Sequence, residues 1–454
     1  MPIFDLYVTA MIVIMLAALW TGWRLALAGP TVHVAPTSAR LVSWGFLLVY
    51  LLWKPIFYDW REDIDDLVNA GLSTSNRIEV LFTALSAGWM LWLLISRSLP
   101  LGHLLRGPAF WITALVLSLL ASVLWSLWPQ LSLYKGIELL AFWIVTAHVA
   151  ASPLWRLDVE RIAVAALVAG WWPYVFRGMA DFSGGIVGAF YNNEGAMVAG
   201  IVLLLGAHRF VLLHDLRSGL LLGVSLLSLV LFHSFTTDMC VALSLLLLGL
   251  LMLLEHAGRT ATVVVLTATV AAGGAAGWLL THVDEALMRG IAGAFGKGAD
   301  ELSSLTGRLP LWQALWDASK NSPFGTGFFA LERTIFSVAD PDSVGWEAAH
   351  SHNGFLSAWL GSGYLGLGLI VMFCVALGLQ ILRLDHELRL LLIPLTVFLI
   401  LNNLSYPVFG GRLNPGWLIV MTLAFAAPFR SSAMAFAGPV DAWFRPAAAG
   451  RPTI

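Results

Sequence analysis

The sequence predicts an all-α fold, a polytopic transmembrane helical bundle of about 12–13 spans with one large, partly helical outer loop. Three observations predict it. Hydrophobic residues make up 59% of the 454 residues and charged residues only 11%, with mean hydropathy +0.82, against about 25% charged in a soluble domain. Apolar runs of about 18–25 residues recur from end to end, each long enough to cross a hydrocarbon layer about 30 Å thick. The short connections between these runs alternate in charge, as the two sides of a membrane require.

Taken in order, the runs fall near 5–28, 39–58, 78–96, 109–128, 132–151, 161–180, 195–213, 217–233, 237–254, 260–281, 353–381, 389–405 and 414–429. The fourth and fifth are separated only by "WPQ", which leaves twelve or thirteen spans open. This gives ten N-terminal spans over 1–281, a loop over 282–351, three spans over 352–429 and a tail over 430–454. One set of connections carries Arg40, Arg97, Arg106, Arg156, Arg161, Arg209, Arg217, Arg259, Arg383 and Arg389, and is expected to face the cytoplasm. The N-terminus, the acidic stretch 59–77 and the 282–351 loop then face outward, with the C-terminal tail inside. The 21 tryptophans gather near the span ends, as interfacial anchors do. Cys240 and Cys374 both fall within spans and read as small apolar residues. No cleavable signal is evident, because the first apolar run follows Asp5 and no A-x-A site closes it. A formal net charge of -2 gives no sign of a nucleic-acid partner.

Within the outer loop, "LPLWQALWDASKNSP" places Leu311, Leu315 and Ala318 on one helical face, and "PFGTGF" then breaks the helix at Pro323, Gly325 and Gly327. An ordered loop of this length between spans is more often functional than a tether.

Several motifs compete. Gly361, Gly363 and Gly366 spell GxGxxG, but no strand precedes them, so a helix-packing seam is expected. Ser132-Leu-Tyr-Lys135 matches S-x-x-K without the K-T-G that acylation requires, which leaves Lys135 as an outer-interface cation. Positive charge is depleted beside outer loops, so Arg177, Arg308, Arg412 and Lys135 are candidates for an anion site, with headgroup anchoring as the alternative. Guanidinium forks suit a diphosphate. "HSHNG" supplies His350, His352 and Asn353 at the start of the next span, where Asn353 or Ser351 alone could cap the helix. His352 is the candidate base and His350 the alternative. No HExxH, DxD or Cys/His spacing accompanies the pair, so no metal is expected.

"TGRLPLWQALWDASKNSPFGTGF" followed by "HSHNGFLSAWLGSGYLGLG" resembles the paired signature of the O-antigen ligase and Wzy-type polymerase superfamily, most similar to its ExoQ-like exopolysaccharide branch. "GAFYNNEGAMVAG", with Asn192, Asn193 and Glu194, resembles another family stretch, and the likeness covers about residues 180–425. Two departures stand out. Ser234, Thr236, Thr237 and Asp238 occupy a stretch where members often carry Ser followed by a cation, and "NNLSYPVFGGRLNPGW" lacks a glutamate often found there.

The resemblance implies a GT-C-like, metal-independent, cofactor-free glycosyltransferase at the periplasmic face of a bacterial inner membrane. Its partners would be an undecaprenyl-diphosphate-linked oligosaccharide, an acceptor glycan, membrane lipids and other polysaccharide-assembly membrane proteins. In that reading Arg308, Arg177, Arg412 and Lys135 hold the diphosphate and His352 is the general base. Asn353, Asn192, Asn193, Glu194, Trp312, Trp316 and Trp346 would contact glycan. A repeat-unit polymerase is expected first. An O-antigen ligase acting on lipid A-core and a lipid-linked glycan flippase are the alternatives.

Overall fold

A computed structural model describes residues 37–57, 74–152, 155–176, 193–214, 216–256, 308–333 and 350–426. The expected spans near 5–28 and 260–281, the tail, Arg177, Asn192 and Trp346 lie outside them. Among the described residues every regular element is helical. In chain order these are α1 (Thr37–Phe57), α2 (Thr74–Ile95), α3 (Leu101–Leu104), α4 (Gly107–Ala121), α5 (Pro129–Ala150), α6 (Trp155–Phe176) and α7 (Asn193–Leu213). There follow α8 (Leu216–Phe232), α9 (Phe235–His256), α10 (Arg308–Ser319), α11 (Ala330–Arg333), α12 (Gly354–Ile381), α13 (His386–Asn403) and α14 (Pro415–Ala426). Seven are long and apolar enough to cross a membrane, and α8, α14 and most of α1 are shorter apolar helices.

Local chemistry sets the boundaries. Asn353 Oδ1 accepts from the backbone N–H groups of Phe355 and Leu356 and opens α12, and Asp385 Oδ1 accepts from Leu388 N to open α13. Asn414 Oδ1 does the same for Trp417 N, with Pro415 at the first turn of α14. The "WPQ" question resolves into two helices. After α4 a 3₁₀ turn at Ser122–Leu124 reverses the chain, and α5 starts at Pro129.

Buried share separates centre from rim. In α5 83% of the span is buried inside the protein, against 28% in α9 and in α12. α5 packs against α1, α2, α4 and α14, and α7 packs against α6, α8, α9 and α13. Lateral bonds sort the helix ends into two layers. At one end Arg40 pairs with Asp158, Arg161 lies 3.5 Å from Asp158, and Glu160 meets Arg217 at 2.6 Å and Arg209 at 3.5 Å. These residues come from the connections expected to be cytoplasmic. The opposite layer contains the ends of α1, α4, α8 and α13, the starts of α5, α7, α9, α12 and α14, and all of α10.

The glycine string is a seam and also a break. Gly361 lies against Leu119 of α4, as helix packing requires. Gly363, at φ 64, interrupts α12 beside Ser362, and a Cβ there would strike the Pro323 carbonyl. The "PFGTGF" turn satisfies the freed backbone groups. Tyr364 N donates to Pro323 O at 3.1 Å, and Thr326 donates to Leu360 O through its N–H at 2.7 Å and its hydroxyl at 3.1 Å. Before the break α12 is largely buried, whereas Tyr364 is 61% and Leu365 54% exposed. The more exposed part therefore starts at Tyr364. The 18 residues to Ile381 run about 27 Å, close to a hydrocarbon thickness of about 30 Å. The first half-helix, Gly354–Gly361, is about 12 Å long and carries "HSHN" at its start.

On α10 the buried stripe is Leu311, Leu315 and Ser319, and Ala318 is exposed, contrary to the expected face. Trp359 Nε1 reaches across to Ser319 Oγ at 3.1 Å and turns the helix toward α12.

Candidate functional site

Two segments converge on the top of α12. Trp312 Nε1 donates to Ser351 O at 2.9 Å, which ties α10 to "HSHN". From the other side the α13–α14 loop is drawn in where Gly410, at φ 91, meets Gly354, so closely that a Cβ on either would strike the other segment's backbone carbonyl. Asn403 Oδ1 accepts from Phe409 N at 2.9 Å and holds that loop in shape, and Tyr50 of α1 donates to Leu413 O at 2.6 Å.

These contacts bring Arg308, at the start of α10, and Arg412, in the α13–α14 loop, to the same imidazole. His352 is pushed down to about 3 by burial, then by Arg308 and Arg412. His350 is held well below the usual imidazole range by burial, then by His352, Arg412 and Arg308. His350 and His352 both lie before α12, which starts only at Gly354. At His352 a left-handed φ of 50 folds the chain back, so the rings lie 3.8 Å apart and His350 Nδ1 accepts from His352 N at 3.2 Å. Both imidazoles are therefore neutral at ordinary pH.

Around Arg412 the contacts are polar and loose. Its guanidinium donates to Tyr406 Oη at 3.4 Å and lies 3.8 Å from Glu194, while Tyr406 donates to Glu194 Oε2 at 2.8 Å. The Tyr406 ring meets His350 edge-on at 5.7 Å. Arg308 Nη1 donates to Thr236 Oγ1 at 3.1 Å, in the first turn of α9. Of the sequence candidates, His350, His352, Asn353, Arg308, Arg412, Glu194 and Trp312 thus meet in one place, and Asn193 opens α7 beside Glu194. Asn353 commits its side-chain oxygen to the helix cap. Trp316 is exposed on α10, 5.0 Å from the Trp359 ring.

Lys135 departs from expectation. It lies 3.0 Å from both Glu79 and Glu138 and is mostly buried. With two carboxylates already on it, this ammonium has no charge to spare for a diphosphate. Sequence reasoning also missed Tyr406, Tyr50 and Thr236 as parts of the site. The Gly410–Gly411 pair beside Arg412 was the one signal that the loop makes a close approach. Among the described residues, no group of three or more His, Cys, Asp or Glu side chains could hold a metal ion.

A family comparison bears on this arrangement. Residues 222–371 match the O-antigen ligase family model. The matched stretch is about a third of the chain and contains Arg308, His350 and His352, while Glu194 and Arg412 lie outside it. It supports the O-antigen ligase/Wzy superfamily, ligase- or polymerase-type function in general, and lipid-linked glycan chemistry in a multi-pass membrane protein. None of the curated proteins matches the chain significantly.

Proposed function

We propose that this protein is a metal-independent, inverting glycosyltransferase at the periplasmic face of a bacterial inner membrane. It moves an undecaprenyl-diphosphate-linked glycan onto a sugar hydroxyl, as a repeat-unit polymerase of the exopolysaccharide or O-antigen kind. The observation that carries this reading is the convergence of two distant stretches of chain on the His350–His352 turn: Arg308 opens the helix whose Trp312 bonds Ser351, and Arg412 bonds Tyr406, whose ring meets His350 edge-on.

Two tasks must be met. The diphosphate gains negative charge as the glycosidic C–O bond breaks, and Arg308 and Arg412 stabilise it, each guanidinium pairing its N–H groups with phosphate oxygens. The attacking hydroxyl loses its proton as it bonds to the anomeric carbon, and His352 accepts that proton. Burial and then the charges of Arg308 and Arg412 hold the His352 imidazole down to about 3. Burial persists when donor binds, but the diphosphate offsets the guanidinium charges, so the imidazole regains basicity only beside a bound donor. Attack from the side opposite the diphosphate inverts the anomeric centre. Tyr406 and Glu194 hold Arg412 by one phenol and one loose ion pair, which leaves N–H groups to face phosphate. Asn193, Glu194, Trp312 and Trp316 line the glycan side.

The test is a transfer assay on the purified full chain in detergent, with lipid-diphosphate glycan, acceptor and excess EDTA. A ladder of repeat units in the product masses supports polymerase chemistry. A single en bloc transfer supports the ligase reading, which the matched family's description favours. Labelled lipid crossing a vesicle bilayer with no new glycosidic bond supports a transporter and sinks the enzyme reading.

A further inference from the structure

The α8–α9 turn carries a second imidazole that the reaction above does not use. His233 ends α8, donating its N–H to Leu229 O at 2.9 Å with a left-handed φ of 23. Two residues later α9 begins, and Asp238 N donates to Ser234 O at 2.8 Å. Across this turn His233 Nδ1 and Asp238 Oδ2 lie 2.9 Å apart. His214, at the α7–α8 turn in the opposite layer, also has a left-handed φ of 51, so backbone alone does not distinguish His233. Its carboxylate does.

The pair stands between two corners of the site. Thr236, between His233 and Asp238 in sequence, accepts from Arg308 at 3.1 Å. On the other flank the Phe232 ring lies against Gly195, next to Glu194, and 6.0 Å from the Tyr174 ring. The side chains of His233 and Asp238 are 27% and 29% exposed, so a ligand can reach them.

With Asp238 Oδ2 2.9 Å from Nδ1, the Nδ1–H tautomer is favoured, which leaves Nε2 as a hydrogen-bond acceptor. Asp238 repels a phosphate, whereas a neutral hydroxyl satisfies Nε2. Taking the glycosyl-transfer reading as its basis, we infer that His233 and Asp238 form an acceptor-glycan subsite, in which His233 Nε2 accepts from a sugar hydroxyl other than the reacting one. The diphosphate then lies on the guanidiniums of Arg308 and Arg412, and the acceptor reaches His233 beside the Arg308–Thr236 contact.

The test uses the full chain in lipid nanodiscs and, as probe, the glycan released by mild acid from the host's lipid-diphosphate pool. Loss of one hydrogen bond to the probe predicts that Asp238→Asn and His233→Ala weaken its binding about three- to tenfold by calorimetry. With donor saturating, the acceptor KM rises by the same factor, kcat stays within about twofold, and His233→Gln recovers part of the loss. Equal probe affinity in wild type and both variants overturns the subsite, as does a fall in kcat or melting temperature with acceptor KM unmoved. Wild-type protein that binds glycan but forms no glycosidic bond sinks the transferase reading, and the calorimetric comparison still judges the dyad.

Discussion

Lys135 and Arg412 are both cations in the same layer of the bundle, and their surroundings are opposite. Lys135 has carboxylates at 3.0 Å on two sides, so its charge is spent holding α2 to α5. Arg412 shares one carboxylate at 3.8 Å with a tyrosine that takes the shorter bond, and its field falls on two buried histidines. The arginines of the far layer resemble Lys135, gathered around Asp158 and Glu160. Position in that layer is therefore a poor guide to an anion site. What matters is whether the cation's partners leave its charge available.

The sharpest way to break this contrast is to remove the imidazole that the arginines act on. His352→Ala should lower transfer by at least about 100-fold, the low end for a general base, with the melting temperature unchanged. A reversed pattern, with His350→Ala dead and His352→Ala active, would move the base to its neighbour. Next comes the guanidinium fork. Arg308→Lys and Arg412→Lys keep the charge but lose paired N–H donors, for an expected loss of about 10- to 100-fold in kcat/KM. A fully active Arg308→Lys enzyme would remove the bidentate role.

A subtler test uses pH. A depressed imidazole pKa means the free enzyme keeps His352 unprotonated as pH falls through its ordinary range toward 3. Accordingly kcat/KM should stay flat from about pH 7.5 to about pH 5, while kcat, which reports the donor complex, should turn down at higher pH. Coincident profiles would show that bound diphosphate leaves the imidazole untouched. The smallest effect on catalysis belongs to Lys135→Met, which should transfer within a few-fold of wild type. Its cost appears in stability, on the order of 3 kcal/mol, because Glu79 and Glu138 lose their shared partner. Loss of donor binding in that variant would return Lys135 to the diphosphate site.

Hydropathy made most of the fold legible, because spans are long and lipid admits little besides helix. The eleven expected spans within the described residues each correspond to a helix. The break in α12 was hidden, since a run such as "GSGYLGLG" looks equally apolar whether or not its backbone is interrupted. Only the "PFGTGF" turn seated against it shows that Gly363 is a discontinuity. At the candidate site, residue type and the expected side of the membrane singled out Arg308, Arg412 and His352. Partner identity was only partly legible: Glu138 lies three residues after Lys135 on α5, but Glu79 and Glu194 reach their cations from other helices, and no spacing in the chain encodes that. For the same reason Tyr406, silent in the sequence, turns out to bridge Glu194, Arg412 and His350.

The most direct test follows the His352 imidazole itself by nitrogen NMR of histidine-labelled protein in nanodiscs, with His352→Gln identifying its signal among the 11 histidines. Without ligand the ring should stay neutral far into the acid range, and saturating undecaprenyl diphosphate should raise its pKa by at least about one unit. An unchanged titration with the diphosphate bound would contradict the joint action of Arg308, Arg412 and His352.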